Sequence, residues 1–163
     1  LAHLFRLVTT KSGYEAAALA ISIVSVCSIS GRLSGGWILL KVDSRRFTLI
    51  TMVVQAMALM ALALVTDRTV MLVCIAIFGL SVGNLLMMQP LLIAEAFGTR
   101  DYPRLYASSQ MISMIGVAGG PMLIGAIYDL SGGYYVPFVV IACLAAFGAI
   151  ALSLSGPTRR AAG

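Results

Sequence analysis

Apolar residues fill long stretches of this chain, and charged residues stand between the stretches. Five long segments contain no Asp, Glu, Lys or Arg: 16–31, 47–66, 69–94, 105–128 and 130–158. Most of them reach the roughly 20 residues with which an α-helix crosses about 30 Å of hydrocarbon. Membrane β-strands would alternate apolar and polar residues over about ten positions, and no such alternation occurs.

The pattern therefore predicts an all-α membrane protein with five spanning helices, over 15–40, 47–65, 70–97, 105–128 and 134–154. Turn-forming residues separate these helices, at 43–44, 66–68, 98–103 and 131–133. Because the connections are short, neighbouring helices should run antiparallel. The helical bundle covers 14–156 and a tail follows at 157–163.

Composition excludes the soluble classes of protein. Apolar residues make up 60% of the chain and charged residues 10%, against about 45–50% and 25% in ordinary soluble domains. The mean hydropathy is +1.00. So few polar groups cannot cover a soluble enzyme, and the net charge of +5 does not indicate a nucleic-acid partner in such a chain. The implied surroundings are a lipid bilayer.

Lys and Arg set the orientation of a membrane protein. Seven of them fall on one predicted side: Lys41, Arg45, Arg46, Arg100, Arg104, Arg159 and Arg160. Arg6, Lys11 and Arg68 fall on the other side. The richer side is predicted to be cytoplasmic, with the C-terminus inside a plasma or inner membrane. The chain starts with Leu1, and we interpret 1–13 as the outer end of a truncated helix followed by an external loop. A complete five-helix protein is the alternative.

The sequence gives no support for catalysis or metal binding. The cysteines Cys27, Cys74 and Cys143 all lie in apolar spans, where they are typical packing residues. His3 is the single histidine, so neither a metal cluster nor a Ser-His-Asp arrangement can be assembled. We predict no enzyme activity, metal or cofactor.

Three motifs stand at helix ends and in one helix interior. The first helix ends in a glycine-rich run containing Gly31, Gly35 and Gly36, and Asp43, Ser44, Arg45 and Arg46 follow in the loop. The third helix ends in Glu95 and is followed by Arg100. The fourth helix carries Gly116, Gly120 and Pro121. The glycines should allow close helix packing, and Glu95 should pair with Arg45 or Arg46 on the same predicted side.

In order, spacing and sidedness these motifs resemble the major facilitator superfamily. The glycine-rich helix end with Asp-x-Arg-Arg resembles the second copy of that family's loop motif, between its eighth and ninth helices. The resemblance implies part of the C-terminal six-helix bundle, helices eight to twelve, with a missing N-terminal bundle as its partner. It also implies a gating charge network of Asp43, Arg45, Arg46, Glu95 and Arg100. The loop is shorter than the family's Asp-Arg-x-Gly-Arg-Arg and lacks its glycine.

Arg32 is the candidate substrate-binding residue. It lies about 13 Å before Lys41 along the helix, a depth at which an Arg is costly unless it is paired or faces a water-filled cavity. A guanidinium grips carboxylates bidentately, although an Arg reaching back to the interface would also be tolerated. The stretch around Arg32 resembles the arginine region of monocarboxylate and oxalate/formate carriers. The oxalate-type carriers have a lysine on the helix that corresponds to the fourth, and this chain has none there, so the resemblance implies a monocarboxylate and not a dicarboxylate.

Asn84, Gln89 and Gln110 are weaker candidates for lining a substrate cavity, and interhelical hydrogen bonding is their alternative role. The prediction is therefore a secondary transporter of a small organic anion that works by alternating access. A multidrug or other efflux carrier of the same fold, with a structural Arg32, is one alternative. A non-transport five-helix membrane module is the other.

Overall fold

The computed structural model describes residues 6, 8–9, 13–65 and 67–155. Within them the chain forms four long helices: α1 (Tyr14–Ile38), α2 (Ser44–Leu64), α3 (Arg68–Ser131) and α4 (Tyr135–Leu154). Each is long and apolar enough to cross a membrane. The predicted helix remnant and loop at 1–13 lie largely outside the described residues, and the predicted tail at 157–163 lies wholly outside them.

The predicted third and fourth helices form a single element, α3, which bends at Gly98. Straight, its 64 residues would extend about 96 Å, three times the hydrocarbon thickness. Gly98 has φ 74° and ψ 177°, a non-helical conformation inside α3. The Gln89 side chain, on the first arm (68–97), donates to the hydroxyls of Ser109 and Ser113 on the second arm (99–131), at 2.9 and 3.2 Å. The two arms therefore lie antiparallel, side by side.

The predicted six-residue break at 98–103 is wrong, because helical structure resumes directly after Gly98. Its turn-forming residues suggested a loop. Pro103 lies five residues beyond the bend, inside the second arm, and does not end the helix. One glycine with a positive φ therefore reverses the chain, a conformation that residues with a Cβ rarely adopt.

Aspartates begin two of the helices. Asp43 caps α2 by accepting a hydrogen bond from the backbone N–H of Arg46 at 3.3 Å. Asp67 caps α3 by accepting from the N–H groups of Thr69 and Val70 at 2.9 and 3.0 Å. These side chains satisfy donors that a helix start leaves open. With Asp43 as its cap, α2 begins three residues before the predicted boundary at 47.

The helices pack in a chain of neighbours. α1 packs on the first arm of α3, while α2 packs between α3 and α4. Four helices converge at the end of the bundle opposite the α1–α2 loop, where their apolar side chains form a common core. Its members include Ala17, Ala20, Leu62, Met71, Ile75, Phe138 and Ala142.

Tyrosines and Arg6 close this opposite end. Tyr134 and Tyr128 have ring centroids 4.5 Å apart, and Tyr134 also meets Phe138 edge to face at 6.4 Å. Burial raises the pKa of the Tyr134 hydroxyl, and the Arg6 guanidinium hydrogen-bonded beside it partly opposes that rise. The aromatic rings thus cover the start of α4 just outside its apolar span.

Candidate functional site

Polar groups from three helices gather at the end of the bundle that holds the α1–α2 loop, which we call the loop end. Ser44 opens α2 and is buried, while Glu95 lies three residues before the bend of α3. The Ser44 hydroxyl lies 2.6 and 2.7 Å from the two carboxylate oxygens of Glu95. A hydrogen bond to an ionised acceptor is among the stronger kinds. It ties the start of α2 to the end of the first arm.

Arg45 joins α2 to α4. Its Nη2 donates to the backbone carbonyls of Leu152 and Ser153, at 2.7 and 3.0 Å. A guanidinium at this position satisfies carbonyls that the last turn of a helix leaves without partners. The Nε of Arg45 is buried and has no hydrogen-bond partner among the described residues.

The expected ion pair between Glu95 and Arg45 or Arg46 is absent from the described residues. Successive residues of a helix point about 100° apart, so Ser44 faces α3 while Arg45 faces α4. The Arg46 side chain is exposed. Arg100, also predicted for the charge network, is exposed beyond the bend. The loop end is therefore held by a serine–carboxylate contact and an arginine–carbonyl contact.

A polar pocket of about 350 Å³ opens at the loop end beside this contact. It is lined by Leu39, Leu40, Lys41, Val42, Asp43, Ser44 and Glu95. Because Lys41 and Asp43 are both exposed, the rim carries charges of both signs. The pocket places the predicted network residues Asp43 and Glu95 along one surface and leaves Arg100 outside it.

Arg32 lies on the exposed side of α1. Its neighbours in sequence, Gly31 and Gly35, are buried against α3, whereas the Arg32 side chain makes no hydrogen bond or ion pair with any residue that the structure describes. An intramembrane guanidinium in this state needs water, an anion or another protein surface. The candidate residue is thus available for an anion.

The other three residues that were predicted to line a substrate cavity lie in different surroundings. Asn84 is buried, and its Nδ2 donates to the Leu80 carbonyl at 3.0 Å, while its Oδ1 has no hydrogen-bond partner in the part of the chain that the structure describes. Gln89 bridges the two arms of α3 through Ser109 and Ser113. Gln110 is half-buried on the second arm. Gln89 therefore joins two helical segments, whereas the Asn84 hydrogen bond stays within its own helix.

Glycines allow α1 and the first arm of α3 to approach closely. A Cβ on Gly31 would lie 2.6 Å from the Leu80 carbonyl oxygen, and one on Gly35 would collide with the Asn84 amide. On the facing helix, Gly83 leaves room for the Ser28 carbonyl. Such contacts are typical of small residues between membrane helices.

Gly79 and Gly83 were missed in the sequence, although their Gly-x-x-x-Gly spacing is the signal for such an approach. Gly79 abuts the Val24 backbone at 3.0 Å from its would-be Cβ. The sequence also predicted packing at Gly36, Gly116 and Gly120, but a Cβ on any of them would meet no described residue within 4 Å. Pro121 lies within the second arm of α3, which contains no fully buried residue.

The fold and this site define an all-helical membrane protein whose polar contacts concentrate at one end of the bundle. Residues 7–162 match the pattern of the Major Facilitator Superfamily. The chain belongs to this family of membrane transporters. Comparison with curated proteins and with solved structures gave no match.

Proposed function

We propose that this chain is part of the C-terminal bundle of a secondary transporter for a small organic anion, a monocarboxylate in particular. In such transporters substrate binds near the membrane midplane between two bundles, which rock to expose it to either side. The observation that carries the proposal is Arg32, an exposed guanidinium at membrane depth with no partner among the described residues.

The Arg32 side chain is chemically suited to bind the carboxylate of the substrate. Its planar guanidinium presents paired donors that match the two oxygens of a carboxylate. The acids Asp43 and Glu95 stand at the loop end, and Glu95 already accepts from Ser44. The free-energy cost of holding the Arg32 charge in the membrane is then offset by the substrate or by water in the cavity.

Substitution by lysine tests this role. Lysine keeps the charge and can reach an interface but lacks the planar fork. Arg32→Lys is expected to weaken monocarboxylate binding roughly tenfold or more, about 1.4 kcal/mol. The measurement is uptake and binding of small monocarboxylates by protein that reaches the membrane, with Arg104→Lys as the matched control. Unchanged affinity in Arg32→Lys would contradict the anion grip and favour an efflux carrier with a structural arginine.

The loop end is proposed to be cytoplasmic and to act as the inner gate. Its Lys and Arg content supports this orientation. The Ser44–Glu95 contact links the start of α2 to α3, so opening the bundle there would require breaking it. Asp43, Arg45, Arg46 and Arg100 supply the surrounding charges. Glu95→Gln should increase labelling of a cysteine introduced at Leu39, and Asp101→Asn on the second arm is its control.

Unchanged labelling in Glu95→Gln would contradict the gate. If Glu95→Gln and Asp101→Asn increase labelling equally, the effect belongs to the general charge of this face. Either result would leave the Arg32 proposal to be judged on its own measurement.

A further inference from the structure

An apolar groove runs between α2 and α4 on the surface of the bundle, with a volume of about 630 Å³. Its lining on α2 runs from Leu49 through Val53 to Met60, and its lining on α4 runs from Ala142 through Ala146 to Ser153. The α4 wall is built largely from small residues, which makes the surface concave. We call this feature the α2–α4 groove.

The groove has the length of one membrane leaflet. From Leu49 to Met60 the α2 wall rises about 16 Å, at about 1.5 Å per residue. The α4 wall from Ala142 to Ser153 covers the same number of residues. Half of a hydrocarbon core about 30 Å thick is about 15 Å. The dimensions fit an acyl chain that lies along the groove from the loop end toward the core around Ala142.

Positive charge stands where the groove reaches the loop end. Arg46 precedes Leu49 by three residues and Val53 by seven, so it continues the stripe of α2 that lines the groove. Its guanidinium is exposed and makes no hydrogen bond or ion pair within the described part of the chain. The groove therefore ends at an available donor of the kind that binds phosphate.

Arg45 neutralises the α4 side of the groove at the same end. It donates to the carbonyls of Leu152 and Ser153, and Ser153 itself lines the groove. These carbonyls carry the negative end of the α4 dipole, which would repel an anion if it were uncompensated. With the guanidinium bound to them, the mouth of the groove is electrically favourable to a phosphate.

From this arrangement we infer that the α2–α4 groove binds an anionic phospholipid, with one acyl chain along the groove and the headgroup phosphate at Arg46. Basic sites between membrane helices recognise anionic headgroups by the same electrostatics. The inference concerns the outer surface of α2 and α4. It does not depend on Arg32 or on the transported substrate.

The test titrates the purified protein in detergent with phosphatidylglycerol and, separately, with phosphatidylcholine of identical acyl chains, and counts bound lipids by native mass spectrometry. Wild-type protein should bind phosphatidylglycerol at least fivefold more tightly than phosphatidylcholine. Arg46→Gln should remove that preference. Arg104→Gln, which loses the same charge from the second arm of α3, should retain it. Inorganic phosphate at equal concentration should not compete, because it lacks the chain.

A second pair of variants tests the apolar wall. Ala146→Phe fills the groove and should weaken binding of both lipids, whereas Ala151→Phe, on an exposed position of α4 outside the lining, should not. Arg46→Gln changes an exposed side chain, so its result stands even if Ala146→Phe fails to fold.

Three outcomes would overturn the inference. If Arg46→Gln and Arg104→Gln lose the preference for phosphatidylglycerol equally, the lipid is attracted by the overall positive charge and is not bound at a specific site. Unaltered lipid binding in well-folded Ala146→Phe would separate binding from the groove. A concentration-dependent dimer that Ala146→Phe abolishes would assign the groove to a second copy of the chain.

Discussion

The Ser44 hydroxyl contacts both carboxylate oxygens of Glu95, at 2.6 and 2.7 Å, across 51 residues of sequence. This contact joins the first residue of α2 to the last turn of the first arm of α3. Ser44 is buried and Glu95 is half-buried, so water competes only partly for the carboxylate. The relationship makes a hydroxyl, and not an arginine, the partner of the acid at the loop end.

Ser44→Ala should destabilise the bundle. It removes a hydrogen bond to a charged acceptor, and the expected loss is about 1 kcal/mol or somewhat more. Thermal unfolding in detergent, followed by circular dichroism, measures it. Ser34→Ala is the matched control, because among the described residues that hydroxyl bonds within its own helix. A melting temperature equal to that of Ser34→Ala would show that the contact adds no stability.

Gly83→Ala should disrupt the packing of α1 on α3. The added Cβ would collide with the Ser28 backbone carbonyl, which cannot rotate away as a side chain could. Overpacking of this kind costs about 1–3 kcal/mol. The measurement is again thermal unfolding. Gly36→Ala, whose Cβ meets nothing within 4 Å, should leave stability unchanged or slightly higher. Equal effects of the two substitutions would refute close approach at Gly83.

Gly98→Ala should strain the bend of α3. The pair φ 74° and ψ 177° lies in a region essentially restricted to glycine, and other residues pay about 1–3 kcal/mol there. A lower melting temperature is expected, with a greater distance between spin labels placed on the two arms. Gly125→Ala, in an open helical position, is the control. Unchanged label distances and stability in Gly98→Ala would contradict the bend.

Gln89→Leu should loosen the two arms of α3 from each other. The amide donates to Ser109 and Ser113, and interhelical hydrogen bonds in membranes are worth about 0.6–2 kcal/mol. Faster hydrogen exchange of the second arm would report the loss. The control is Gln110→Leu, which removes an amide side chain from the same helix. If the second arm exchanges hydrogen equally fast in both variants, the Gln89 hydrogen bonds do not hold the two arms of α3 together.

The apolar stretches by themselves determined that this is a helical membrane protein, because a helix of about 20 residues satisfies its own backbone within hydrocarbon and the alternation of membrane β-strands does not occur. Local sequence also contains the glycine-rich end of α1 and the motifs behind the family resemblance, and the Major Facilitator Superfamily assignment is confirmed. Local turn signals misjudged 98–103, because the bend needs only the φ of Gly98.

Partner choice was decided by tertiary structure alone. Sequence placed Ser44, Arg45 and Glu95 on one side of the membrane and favoured pairing by opposite charge. Helix rotation instead turned Ser44 toward Glu95 and Arg45 toward the carbonyls ending α4. In the same way, which glycines meet a neighbouring backbone depends on where two helices cross, so Gly83 is tightly packed while Gly36 remains open. A sequence contains the spacing of such residues but not the angle at which their helices meet.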